Sequence, residues 1–231
     1  MITGHWNVPA LAHQVQIEMI FDLNCPWCYI GKRHLERALA MRPAIPVVLR
    51  WWPFLLTPDM PKEGVDRLTF LLRKFGSETR ISRIYDAIAR VGQSVAIDFS
   101  LDRIQRAPNT VDAHRLVRFA ERHGLAQHAV ETIFRSFFVA GRDIGDRKEL
   151  LRIGAEIGLE SAALLAYLRS DTDTALIFKE NARAHRLGIN GVPSFVFNGS
   201  HIICGAQESI VLARMLDVTS CAAAGAEGGR V

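Results

Sequence analysis

Two cysteines separated by two residues, Cys25-Pro26-Trp27-Cys28, are the side chains of this sequence best suited to covalent chemistry. A thiolate is both a nucleophile and a leaving group, so two thiols about one helical turn apart can make and break a disulfide between them. The pair opens a stretch of helical spacing. From Tyr29 to Met41 the apolar residues Ile30, Leu35, Ala38, Leu39 and Met41 line one side, until Pro43 and Pro46 stop the helix. At a helix start the unpaired N–H groups and the macrodipole favour a thiolate. The dipole supplies about 0.3–2 kcal/mol, or about 0.2–1.5 pK units, so direct N–H···S contacts must supply anything larger. Cys25 therefore reads as the nucleophile and Cys28 as the resolving thiol. Pro26, with its fixed φ and no N–H, suits the first turn, and Trp27 offers an apolar surface, so both are expected to touch substrate. Lys32 and Arg33 are expected to add positive potential nearby.

Other uses of a C-x-x-C pair are weighed against this one. Half of a zinc site would need a second pair, but Cys204 and Cys221 stand alone and the sequence holds no H-x-x-x-H. A structural disulfide or two inert buried thiols is the blander alternative. A second segment of interest, Gly191-Val192-Pro193-Ser194-Phe195, precedes an apolar strand. Taken alone it reads as a trans turn, since cis occurs in only about 5–6% of X-Pro bonds.

The elements that must position these residues can be placed along the chain. Val15–Asp22 alternates and is rich in branched and aromatic residues, so it reads as a strand leading into the cysteines. Val47–Phe54 reads as a second strand. From Val65 to about Lys179 the pattern becomes helical, with breaks that predict five or six helices and no long strand. Ser194–Phe197, a two-residue Asn198-Gly199 turn and His201–Cys204 predict a β-hairpin. Glu208–Val218 closes with a stripe of Ile210, Val211, Leu212, Met215 and Leu216. This order predicts an α/β domain split by an all-helical insertion. The expected parts are residues 14–61 and 180–218 for the α/β layer, 62–179 for the insertion and 219–231 for a flexible tail.

Bulk properties narrow the class. Of 231 residues, 49% are hydrophobic and 23% charged, the balance of an ordinary globular protein. The formal charge of +4 is spread out, and the one basic stretch, which includes Arg67, Arg73, Lys74, Arg80, Arg83 and Arg90, reads as solvated helix faces. Neither a nucleic-acid nor a membrane role is expected. Met1–Gln14 has neither the basic start nor the apolar run of a secretory signal, so the expected address is cytoplasmic, where thiols are kept reduced.

Together these segments resemble a known family, the DsbA-like branch of the thioredoxin superfamily, and within it the FrnE-like proteins. The resemblance rests on Asp22–Leu35 (DLNCPWCYIGKRHL), Trp52-Pro53-Phe54, Pro108–Leu116 (PNTVDAHRL), Gly191–Phe197 (GVPSFVF) and Gly205-Ala206-Gln207. It implies a thioredoxin fold with a helical insertion and thiol–disulfide exchange on protein thiols and disulfides, with reductase or isomerase direction in a reducing compartment. It also implies that Val192-Pro193 is cis and faces the cysteines, with Val192 offering its backbone to an extended substrate. No bound cofactor is implied; glutathione is a candidate redox partner. The competing family reading is a glutathione-dependent isomerase or kappa-type transferase, which typically carries Ser where Cys25 stands. A non-catalytic chaperone using Trp27, Trp51 and Trp52 is a third reading. The PNTVDAHRL block, with Asn109, Thr110 and His114, is expected to start a helix with Asn109 or Thr110 as its cap, a substrate-facing role being the alternative. Cys204, where the family favours a small residue, is expected to be a buried inert thiol, and Cys221 a free one exposed to oxidation.

Overall fold

Strand β1 (Val15–Phe21) is the hub of the protein: it pairs in parallel with β2 (Val47–Pro53) on one side and antiparallel with β5 (Ser194–Phe197) on the other. β5 continues into β6 (His201–Cys204), giving the order β2-β1-β5-β6. The computed structural model describes residues 14–225; residues 1–13, which make up all but the last residue of the stretch read for a secretory signal, and residues 226–231 lie outside the described residues. The parallel β1–β2 pair needs a crossover, and helix α1 (Pro26–Ala40) supplies it.

Alternation along the strands builds a layer on each face of the sheet. Ile17, Met19, Phe21, Phe195 and Phe197 are fully buried in the larger core, which holds Ile30 and Leu35 of α1 and Leu212 and Leu216 of α9 (Ser209–Gly225). Residues of the opposite parity, Ile20 and Val196, join Phe54, Ala184 and Ile189 on the other face. Ala184 belongs to α8 (Thr174–Arg186), whose Arg183 guanidinium lies 4.1 Å from the Trp52 ring centroid.

Between β2 and α8 run α2 (Arg67–Phe75), α3 (Glu78–Ser94), α4 (Val111–Glu121), α5 (Ala126–Phe138), α6 (Arg147–Glu156) and α7 (Ser161–Arg169). The two-residue strands β3 (Val65–Asp66) and β4 (Arg106–Ala107) pair beside them. Local chemistry sets several of the ends. Asp66 caps α2 by accepting from the Thr69 N–H at 2.8 Å, and Gly76 ends the helix at φ +87°.

The fold class is the expected α/β sheet interrupted by helices, with four differences of detail. Seven helices, rather than five or six, occupy the stretch from α2 through α8 among the described residues. The expected boundary at 179/180 falls inside α8, because that helix is needed to cover the sheet. The hairpin loop has three residues, since Phe197 pairs with His201 and the N–H of Ser200 returns to the Phe197 carbonyl at 3.1 Å. Finally, α9 continues past Val218, where a flexible tail was expected. Thr219 is fully buried, and its carbonyl accepts a hydrogen bond from Asn198 Nδ2 at 3.3 Å. Within α9, Ile210 and Val211 lie partly exposed, so the buried stripe is narrower than the spacing predicted.

Candidate active site

Cys25 occupies the N-cap position of α1 in extended conformation, and Pro26 is the first helical residue. The turn is closed locally: the Cys25 N–H donates to the Asp22 carbonyl at 3.1 Å, and the Cys28 N–H to the Cys25 carbonyl at 3.0 Å. Cys25 is 6% exposed while Cys28 is fully buried, and both are free thiols. Trp27, at 38% exposure, stands on the rim. Burial pushes the Cys28 thiol well above its ordinary pKa; its hydrogen bond with Cys25, the charge on Cys25 and the Asp22 carboxylate push the same way. The arrangement can present one sulfur to an incoming disulfide while the other waits as a thiol.

The Val192-Pro193 bond is cis and lies against the cysteines. The Cys25 thiol donates to the Val192 carbonyl at 3.7 Å, across 167 residues of sequence. This approach depends on Gly31, one turn into α1: a Cβ there would sit 2.8 Å from Pro193 Cγ and 3.3 Å from Phe195 Cζ. A stiff proline ring and a packed aromatic cannot yield cheaply. Helix propensity favours Ala over Gly by about 1 kcal/mol, whereas overpacking costs about 1–3 kcal/mol. Gly31→Ala should therefore lower stability by about 1 kcal/mol in urea unfolding. A gain in stability would show that the contact is slack.

Two buried polar residues stand behind the sulfurs: Asp22, missed as a site element from sequence, and His114, read there chiefly as part of a helix start. Asp22 is fully buried, and its carboxylate accepts from the Leu56 N–H at 2.8 Å and the Asn24 N–H at 3.5 Å, tying the loop after β2 to the loop before Cys25. His114, on α4, is 2% exposed and points Nε2 at Asp22 Oδ1 across 3.5 Å; that nitrogen makes no hydrogen bond. A signal was present, since both residues lie in segments that carried the resemblance, but no spacing rule links positions 22 and 114. Thr110 takes the N-cap position of α4 without a side-chain bond, and it is Asn109 that accepts from the Val111 N–H at 3.0 Å.

Two expectations about neighbouring charges and thiols are corrected. Lys32 and Arg33 are not free cations: Lys32 Nζ lies 2.5 Å from Glu36 Oε1 and 2.6 Å from Glu131 Oε2, and Arg33 pairs with the same two carboxylates. Their potential at Cys25 is largely cancelled. Cys204 is exposed rather than buried, because β6 is the edge strand and turns this side chain outward. Cys221 is exposed, as expected.

In front of Cys25 lies a cavity of about 260 Å³ between the cysteine turn, Val192 and helices α2 and α3. Arg67 and Lys74, read from sequence as parts of solvated helix faces, both line it. Only the tertiary fold, which sets α2 across the cavity from the cysteine turn, brings them there.

The sheet order, the C-x-x-C at the β1–α1 junction and the proline loop opposite it define a thioredoxin-type fold. Residues 16–217 match the DSBA-like thioredoxin domain family, and the chain belongs to that family. An uncharacterized protein of Bacillus subtilis, YwbO, is 25% identical over 195 residues, covering 83% of this chain and 90% of its own. A crystal structure described as a "probable DsbA oxidoreductase" of Streptomyces coelicolor is 26% identical with a TM-score of 0.82, covering 94% of this chain and 92% of that one. The cytosolic disulfide reductase DsbM of Pseudomonas aeruginosa, solved with GSH, shares the fold at TM-score 0.59 and 22% identity, over 89% of this chain and 96% of that one. Among the described residues no helix is long and apolar enough to cross a membrane.

With Cys204 and Cys221 replaced by Ser, one equivalent of iodoacetamide near neutral pH should label Cys25 and spare Cys28, because only Cys25 is reachable and Cys28 is held as a thiol. Peptide mapping reads the result. Preferential labelling of Cys28 would reverse the two roles.

Proposed function

We propose that the protein exchanges disulfides with protein substrates through the Cys25–Cys28 dithiol, as a reductase or isomerase. The observation that carries this reading is the placement of the two sulfurs: Cys25 at the mouth of α1 beside the Val192 carbonyl, and Cys28 fully buried behind it. Membership of the DSBA-like thioredoxin domain family supports it.

In the reductive direction the Cys25 thiolate attacks a substrate disulfide, forming a mixed disulfide and releasing one substrate thiolate, which takes a proton from water. Cys28 then loses its proton and attacks the Cys25 sulfur. The second substrate thiolate leaves, and the Cys25–Cys28 disulfide holds the oxidised state. Two electrons pass to the substrate. Val192 is suited to hold an extended substrate by backbone pairing, with Pro193, Pro26 and Trp27 forming its rim. The two sulfurs favour this dithiol reading over a glutathione-dependent isomerase or kappa-type transferase, which needs only one hydroxyl to hold a glutathione thiolate. Glutathione fits as the reductant that restores the dithiol, and a reducing, cytoplasmic compartment suits this direction.

The test is reduction of insulin with dithiothreitol as the terminal reductant. The protein should accelerate precipitation of the insulin B chain well above the uncatalysed rate, and Cys25→Ala should return it to background. Full activity in Cys25→Ala would place the chemistry elsewhere.

A further inference from the structure

We propose that the cavity in front of Cys25 is a side-chain subsite that selects disulfides in which the substrate half-cystine is followed by a bulky apolar residue and then an acidic one. This rests on the thiol–disulfide reading above and adds the substrate class. The wall facing Cys25 and Trp27 is apolar, formed by Phe70 and Phe75 of α2 and by Ile84 and Ile88 of α3. At about 260 Å³ the cavity is smaller than the roughly 300–1,000 Å³ of pockets that engulf a whole drug-sized molecule. It suits one large side chain of a chain lying outside it.

Charge narrows the class further. Arg67 and Lys74 line the same cavity, and no Asp or Glu does. Each cation is placed over aromatic surface: Lys74 Nζ is 5.8 Å from the Phe70 ring centroid and 5.7 Å from that of Phe75, and Arg67 lies 5.6 Å from that of Phe137. Arg67 Nε also donates to the Tyr85 hydroxyl at 3.4 Å. Among the described residues neither cation is held by a carboxylate, in contrast to Lys32 and Arg33 of the cysteine helix. A chain lying across the mouth with one side chain in the apolar cavity keeps its next residue within about 3.3–3.6 Å along the chain, within reach of the long, flexible side chains of Arg67 and Lys74 that line the same cavity. A carboxylate there gains from both cations. A lysine meets repulsion.

Single-turnover reduction of matched peptide disulfides by the reduced full-length protein tests the proposal, with Cys-Leu-Glu, Cys-Leu-Lys and Cys-Ser-Glu peptides and glutathione disulfide as substrates. The Leu-Glu peptide should react about tenfold faster than Leu-Lys at low salt, with the ratio shrinking as salt screens the rim. It should also outrun Ser-Glu and glutathione disulfide. In Lys74→Glu, an exposed substitution, the Glu-to-Lys ratio should fall to about one or invert. Equal rates for the Leu-Glu and Leu-Lys peptides, a ratio untouched by Lys74→Glu, or faster reaction with glutathione disulfide would each overturn the subsite while leaving the dithiol chemistry standing. Failure to reduce any of the four would remove the parent reading and the subsite together.

Discussion

With Cys204 and Cys221 replaced by Ser, a Cys28→Ser protein mixed with a peptide disulfide accumulates a covalent adduct through Cys25, whereas Cys25→Ser forms none and loses at least about a thousandfold in exchange rate. The asymmetry follows from position. Cys25 is the sulfur at the helix mouth, 3.7 Å from the Val192 carbonyl, and Cys28 is fully buried one turn on, with its thiol pKa raised first by burial. A serine hydroxyl at neutral pH has no thiolate to offer, so Cys25→Ser removes the attacking group itself. Cys28→Ser leaves attack intact but removes the group that expels the product, and the intermediate persists. Non-reducing gels and intact-mass measurement distinguish the two. Equal trapping by both variants would mean that either sulfur can attack and that their burial does not set the order.

Glu131→Gln is expected to cost about 3 kcal/mol of stability, read from the midpoint of urea unfolding. Lys32, on α1, has only 2% of its side chain exposed, and Glu131 on α5 is the partner that joins the cysteine helix to the inserted helices. The same carboxylate accepts from Tyr29 Oη at 2.9 Å and pairs with Arg33 at 2.5 Å. Loss of one partner from a buried pair costs about 3–5 kcal/mol, and Glu36, still bound to Lys32, keeps the expected value at the lower end. Replacing the pair together, as Lys32→Met with Glu131→Leu, should recover much of the loss, because the buried Lys32 charge is removed together with its partner.

The pH dependence has a definite sign. Burial pushes the Glu131 carboxyl up, but the charge and hydrogen bond of Lys32, with Arg33 and Tyr29, outweigh it and hold the carboxyl below its ordinary value. A depressed folded pKa means that this stabilisation is fully present above the unfolded carboxyl pKa, about 4.3, and is lost as pH falls through the folded value. Wild-type stability should thus drop more steeply in acid than that of Glu131→Gln, and the two curves should converge there. Parallel curves would show that Glu131 does not titrate with folding.

The sequence by itself determined the parts whose physics is local. Strand alternation, helical periodicity and the C-x-x-C at their junction place Cys25 and Cys28 at a helix start, because a strand, a tight turn and a helix within about 25 residues need no distant partner to be recognised. Asn198-Gly199 likewise announced the hairpin, its two positive φ angles being what those residue types tolerate, although the loop took a third residue. The match of the separated segments also brought Val192-Pro193 to the cysteines, an arrangement no statistic of isolated X-Pro bonds would favour.

Only the tertiary structure decided what depends on facing surfaces. Lys32 looked like a free cation near the thiols, and a carboxylate 99 residues away neutralises it. Asp22 and His114 become neighbours only when α4 packs against the end of β1, and Arg67 and Lys74 reach the cavity beside Cys25 only because the fold sets α2 on the other side of it. Cys204 is exposed because β6 is the last strand in the sheet, a property of strand order rather than of residue type. Charge partners and edge positions are set by long-range packing, and periodicity along one segment carries no information about what that packing brings to it.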